Sequence, residues 1–245
     1  MKRFLYALLI IVISSSAVSA QSLRLVGGIG GNYSIGSYKG LNFVIDRYNA
    51  TRQGQTGAAT VTRPMSNINS LVGVSWQIGF TLENASGLTL YTGINRVGRS
   101  ATSYAEATDI NNNTGRRDVR FTSNSLNFEL GLGKHMGFGY ILAGGSLDMF
   151  SAKAYTRINS NDYDEVMDDF NLGMSLFLDI SVFVTSRFAI GIKPYLQTGL
   201  LKTDFTDLNR AINSATSTRD SFEDQQSSPL NVGTQVFLRI FTLNE

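Results

Sequence analysis

The sequence predicts an all-β protein, an eight-stranded antiparallel transmembrane β-barrel with short periplasmic turns and four long extracellular loops. Three observations predict it. Apolar residues recur at every second position in one segment after another. The connections between these segments alternate between short and long. The chain opens with an export signal, yet no later apolar run is long enough to cross a membrane as a helix.

The first twenty residues read as a signal peptide. Lys2 and Arg3 give a positive start, Phe4 to Ile13 form an apolar stretch, and Val18-Ser19-Ala20 supplies a small-residue cleavage site before Gln21. Residues 21–245 then form one barrel domain. No cysteine follows the site, which excludes a lipoprotein anchor, a disulfide framework and thiol chemistry.

The period-two signal is strongest in five places. In 170–184, Phe170, Leu172, Met174, Leu176, Leu178, Ile180, Val182 and Val184 alternate with residues that include Asn171, Ser175 and Asp179. Val72 to Leu82 alternate with Gly73, Ser75, Gln77, Gly79 and Thr81. Leu126, Phe128, Leu130 and Leu132 form a third row, Phe188 to Leu196 a fourth, and Leu230 to Ile240 a fifth. Weaker versions occupy 23–33, 88–97 and 138–149, which makes eight strands. Lipid offers backbone amides no water, so spanning strands must close on themselves.

Connection lengths give independent support. The links 83–87, 134–137 and 185–187 are short. The links 34–70, 98–118, 151–169 and 202–228 are long and polar. Outer-membrane barrels pair short periplasmic turns with long external loops, and both termini then fall on the periplasmic side. The first long loop contains 40–49, which reads as a short helix or a strand extension. If it spans, the count becomes ten.

Composition excludes other classes. The chain carries 21 Lys and Arg against 19 Asp and Glu, and Lys2 and Arg3 account for the excess. The exported part is neutral, which argues against a nucleic-acid partner. The 24 glycines, 3 prolines and many aromatic residues suit an envelope β-protein.

With Leu25-Val-Gly-Gly-Ile-Gly-Gly-Asn32 in the first strand, 40–52 in the first loop and Gly-flanked hairpins, the chain resembles the outer-membrane β-barrel domain family of Bacteroidota. That family is porin-like, and one branch serves type IX secretion as an accessory. The resemblance covers nearly the whole exported chain and implies a non-catalytic envelope component, with a secretion role as one option. The sequence departs from the proteobacterial pattern of a terminal aromatic residue, because Thr-Leu-Asn-Glu245 follows Phe241.

Chemistry is sparse. Acyl hydrolysis usually needs a base beside a hydroxyl nucleophile. The one histidine, His135, falls in a short turn and reads as a solvated residue. No catalytic residue, cofactor or metal site is expected. Asp162, Asp164, Glu165, Asp168 and Asp169 crowd the third long loop and read as a solvated acidic loop rather than a calcium site. Glu129, Asp148, Asp179, Lys193 and Arg239 fall on inward faces. They either line a polar path for solutes or pair across a filled lumen. Eight strands leave room only for side chains, so the filled lumen is favoured over a small solute channel. Arg96, Arg99, Arg116, Arg117 and Arg120 gather around the second long loop. They read either as rim charge or as contacts to lipopolysaccharide phosphates or an envelope protein partner. Tyr33, Tyr91, Phe138, Phe188 and Phe241 fit an aromatic belt at the membrane interfaces. The expected setting is outer-membrane lipid and lipopolysaccharide, and the expected role is loop-mediated binding. A barrel hydrolase is the remaining alternative.

Overall fold

The computed structural model describes residues 20–52, 60–108, 111–213 and 220–242. The expected export signal lies outside the described residues apart from Ala20, which opens the first strand. In chain order the elements are β1 (Ala20–Ser37), α1 (Lys39–Arg52), β2 (Thr60–Arg63), β3 (Ser70–Asn84), β4 (Leu88–Thr108), β5 (Thr114–His135) and β6 (Gly139–Ile158). There follow β7 (Asp164–Phe183), β8 (Phe188–Gly199), β9 (Thr203–Asp204), α2 (Thr206–Ile212), β10 (Gln226–Ser227) and β11 (Leu230–Phe241).

Eight of these strands close a ring in the order β1, β3, β4, β5, β6, β7, β8, β11. Every neighbour pair is antiparallel. Closure comes from β1 against β11, in register from Val26↔Phe241 to Ser37↔Leu230. The ring has no free edge through its middle, so its backbone groups pair within it, as lipid requires, apart from a break in the β7–β8 ladder at Leu178 and Asp179, opposite Pro194 and Lys193.

Side-chain parity sets the two faces. Trp76 is 44% exposed while its neighbour Gln77 is 3% exposed. The same contrast runs around the ring: Leu130, Leu176, Ile190 and Leu238 face out, while Glu129, Ser175, Gly191 and Arg239 face in. A soluble protein would bury such rows. Here they form a continuous apolar outer wall, which identifies a transmembrane barrel. From Val72 to Leu82, at about 3.3 Å per residue and a tilt near 40°, the wall rises about 25 Å along the axis. Within the interfacial belt two expectations fail. Tyr91 and Phe241 are each 2% exposed and sit inside the barrel. Tyr91 follows the outward Leu90, and Phe241 pairs with the inward Val26, so parity turns both rings inward.

Three tight connections join β3 to β4, β5 to β6 and β7 to β8 at one end. Four long excursions leave the other end, and they are built in two ways. The segments 98–118 and 151–169 continue as strand for most of their length, with β4–β5 and β6–β7 paired up to Thr108↔Thr114 and Thr156↔Asp164. The other two excursions fold into α1 with β2, and into α2 with the short β9–β10 pair. The 40–49 segment is therefore helical, and the barrel count stays at eight.

Helix α1 places Leu41, Val44, Ile45 and Tyr48 on one buried stripe, the spacing of an amphipathic helix. Asn42 and Asn49 fasten the chain returning from β2. Met65 N–H donates to Asn49 Oδ1 at 2.9 Å, and Ile68 N–H donates to Asn42 Oδ1 at 2.9 Å. The buried stripe meets Leu208 and Ile212 of α2 and the inward Val119, Phe121, Ala152 and Ala154 of the extended strands. Together they form a packed apolar cap over the long-loop mouth.

Candidate functional site

Two layers fill the barrel beneath the cap. At the short-turn end lies an aromatic floor. Phe183 and Phe241 meet with centroids 5.1 Å apart, Tyr140 packs on Phe241 at 5.8 Å, and His135 meets Phe183 edge-on at 5.6 Å. His135 is the last residue of β5 and not the solvated turn residue expected. Its Nδ1 lies 2.9 Å from Glu83 Oε1 and its side chain is partly buried. The antiparallel ladder carries β5 three residues further than its apolar row, to His135 opposite Tyr140, which brings the ring under the barrel.

Above the floor, four of the five predicted lumen charges, Glu129, Asp179, Lys193 and Arg239, are linked directly, and Asp148 has its own partners in the same interior. Arg239 grips Asp179 with both terminal nitrogens, at 2.7 and 2.8 Å, and also donates to Ser181 Oγ. Lys193 Nζ lies 2.7 Å from Glu129 Oε2 and 3.8 Å from Asp179. Glu129 also accepts from Asn95 Nδ2 at 2.9 Å and Tyr91 Oη at 3.2 Å. Asp148 accepts from Ser146 at 2.5 Å, from Gln197 Nε2 at 2.8 Å and from Ser175. Gln197 uses its oxygen to accept from Arg99 at 2.8 Å, so it links Arg99 to Asp148. Arg99 also donates to Tyr195 Oη at 3.1 Å. The lumen thus holds Arg99, Lys193 and Arg239 against Glu129, Asp148 and Asp179, all buried and all partnered. A neutral, hydrogen-bonded set is what makes burial of charge tolerable. The gap left among these side chains is about 10 Å³, room for one water-sized particle.

Gly191 makes the Arg239 site. A Cβ there would overlap the guanidinium and come within 2.6 Å of Ser181 Oγ. Its missing side chain is the space the arginine occupies.

The five arginines expected at the rim separate. Arg99 is inside the barrel, because β4 turns odd positions inward. Arg117 also points inward, donating to the Ala211 carbonyl of α2 at 3.4 Å, and burial lowers its pKa. Arg96 is exposed on the outer wall, opposite Trp76 in the ladder. Arg116 and Arg120 face outward on β5, well above the apolar rows.

Around these last two the structure assembles a cluster the sequence did not disclose. Asp118 lies on the outward face of β5, yet its side chain is only 1% exposed. It accepts from Arg116 Nε at 2.6 Å, from Arg157 Nε at 2.9 Å and from Tyr163 Oη at 3.2 Å. Burial opposes its ionisation, but the bonds from Arg116 and Arg157 outweigh that and hold its carboxyl below the ordinary range. The bond to Asp118 in turn raises the Arg116 pKa. Two tyrosines complete the group. Arg63 and Arg116 both stack on Tyr104, at 4.1 and 3.9 Å from the ring centre. Arg120 and Arg157 both stack on Tyr163, at 3.9 and 4.4 Å. Arg157 and Tyr163 lie in what reads as loop, and Arg63 is in the short β2. The one usable sequence signal was the shared parity of Tyr104, Arg116, Asp118 and Arg120.

The acidic segment closes on itself. Lys153 Nζ lies 3.0 Å from Glu165 and 2.8 Å from Asp168, and these bonds raise the Lys153 pKa and lower that of Asp168. Asp169 accepts from the Asp204 N–H at 3.1 Å. No group of three or more metal-ligating side chains is assembled among the described residues.

Fold and site together define a transmembrane antiparallel barrel with a filled, charge-balanced lumen and a packed cap. No family model matches the chain, and no curated protein matches it. Among solved structures it is similar to the attachment invasion locus protein Ail of Yersinia pestis, seen in complex with the heparin analogue sucrose octasulfate. The TM-score is 0.40 at 10% identity, covering 90% of this chain and 99% of that one. Neisserial surface protein A gives a TM-score of 0.37 at 8% identity over 90% and 99% of the two chains. The outer-membrane protease OmpT of Escherichia coli gives 0.39 at 8% over 91% and 97%. The architecture assigned here rests on the closed strand ladder.

Proposed function

We propose that this chain is a non-catalytic outer-membrane component of a Gram-negative envelope, exported by a cleaved signal peptide, that binds a partner or ligand through its long-loop end. Membership of the Bacteroidota barrel family, suggested by 25–32 and 40–52, belongs to this reading, and so does the orientation with short turns in the periplasm. The observation that carries it is the division of labour along the axis. The lumen is spent on a self-neutralising network, while β4 to β7 continue far beyond the apolar wall to support a packed cap. Material that neither spans lipid nor lines a path is best accounted for by contacts outside the membrane. The same network counts against a solute channel. The histidine inventory counts against a hydrolase, since His135 is bound to Glu83 at the short-turn end.

Two measurements test it. In planar bilayers the purified chain should give no discrete conductance, and steady steps abolished in Glu129→Gln would favour the channel. In native membranes, cross-linked pull-down should recover a neighbour that is lost when the β4–β5 hairpin is shortened within 98–118. Recovery unchanged by that deletion, and by one within 151–169, would refute the binding role.

A further inference from the structure

The geometry points to the Arg63, Arg116, Arg120 and Arg157 cluster as a binding site for the phosphate groups of a lipid-anchored glycan standing beside the barrel, that is, the phosphorylated sugars of lipopolysaccharide. This rests on the orientation given above.

The guanidiniums are in two states. Arg116 and Arg157 are committed in part to Asp118. Arg63 and Arg120 are different. Each holds its guanidinium carbon over a tyrosine ring, at 4.1 and 3.9 Å from the centre, and among the described residues neither guanidinium donates a hydrogen bond or forms an ion pair. A guanidinium stacked by its face keeps its N–H edge free in the plane, the geometry for bidentate contact with an anion. The tyrosines and the buried Asp118 hold the forks in place before any ligand arrives, which reduces the ordering cost of binding.

The charge around them is one-sided. The four arginines face Asp118, already saturated, and Glu106, which pairs across the ladder with Arg63 and Arg116. Lys153, Glu165 and Asp168 lie on the same face, and their ion pairs are internal to that trio. The unspent donors are therefore all cationic, and they suit an anion.

Position selects the source of the anion. Arg116 and Arg120 share the outward parity of Leu126, Phe128 and Leu130 on β5. The cluster is a continuation of the lipid-facing wall, so its lateral neighbour is what stands on the lipid. From Leu126 to Arg120 the strand climbs roughly 15 Å along the axis at ordinary rise and tilt. That is above the acyl boundary, at the depth of headgroup sugars.

The test uses the full exported chain, folded in detergent and checked by heat-dependent gel migration. Binding is measured to rough lipopolysaccharide, to the same material after phosphatase treatment, and to inositol hexakisphosphate as a soluble phosphate source. The variant is Arg63→Gln with Arg120→Gln, since neither residue holds Asp118. Arg187→Gln, in the short turn at the opposite end, is the control. The site predicts binding to intact lipopolysaccharide that weakens at least about tenfold in the double variant, weakens comparably after phosphatase treatment, and is unchanged in the control. Equal binding by variant and control overturns the site. Equal or tighter binding of inositol hexakisphosphate overturns the glycolipid as its occupant. A chain that fails to migrate as a folded barrel refutes the outer-membrane role instead.

Discussion

Asp179→Asn tests whether the lumen is held together as a balanced network. The Asp179 carboxylate is gripped by two nitrogens of Arg239 at 2.7 and 2.8 Å and lies 3.8 Å from Lys193. The Arg239 side chain is 0% exposed and that of Asp179 is 2% exposed. Neutralising the aspartate leaves a buried guanidinium facing a second buried cation. Removing one partner of a buried pair costs about 3–5 kcal/mol, while replacing both by apolar groups is often neutral. The single variant should therefore lose about 3–5 kcal/mol, roughly two to three and a half decades in the folding constant. The paired variant Asp179→Leu with Arg239→Met should recover most of that loss, because Arg99 and Lys193 then still balance Glu129 and Asp148. Equilibrium unfolding in denaturant, followed by the single tryptophan, Trp76, reads this directly, since unfolding moves its ring from the outer wall into water. A loss below about 1 kcal/mol for Asp179→Asn, or a paired variant no better than the single one, would refute the network as a source of stability.

Other outcomes follow from the same geometry. Gly191→Leu should destabilise the barrel about as much as Asp179→Asn, because its side chain takes the Arg239 site; equilibrium unfolding checks this, and Gly27→Ala, where a Cβ meets nothing within 4 Å, is the control. Phe121→Ala in the cap should cost about 3–5 kcal/mol locally, seen as faster hydrogen exchange in α1 with the lumen strands unchanged; equal acceleration in both would show that the cap is not a separate layer. The Asp118 carboxyl has a lowered pKa, so its contribution is complete above the ordinary carboxylate range and is lost as pH falls through the lowered value. Exchange protection of 102–108 and 111–120 should therefore fall on acidification from about pH 4 downward, and Asp118→Asn should flatten that response except for the part due to Asp168, which Lys153 holds low.

Sequence and structure agree where one physical rule governs. Through the lipid, apolar side chains must face out and polar ones in, so alternation along 72–82 or 170–184 states both the strand and its facing. Above the lipid the rule inverts. Ser100, Thr122 and Lys153 turn outward to water, while Val119, Phe121, Ala152 and Ala154 turn inward to the cap. The alternation persists but its phase changes, which is why 98–118 and 151–169 read as loops.

By itself the sequence determined the strand count, the alternation of short and long connections, and the inward facing of Glu129, Asp148, Asp179, Lys193 and Arg239, since each follows from near neighbours in the chain. Tertiary structure alone decided who partners whom. Arg239 meets Asp179 across 60 residues, and Arg63 joins Arg116 on one tyrosine because β2 and β5 flank β4. Such pairings depend on ring closure and register, which set distances that no local pattern encodes.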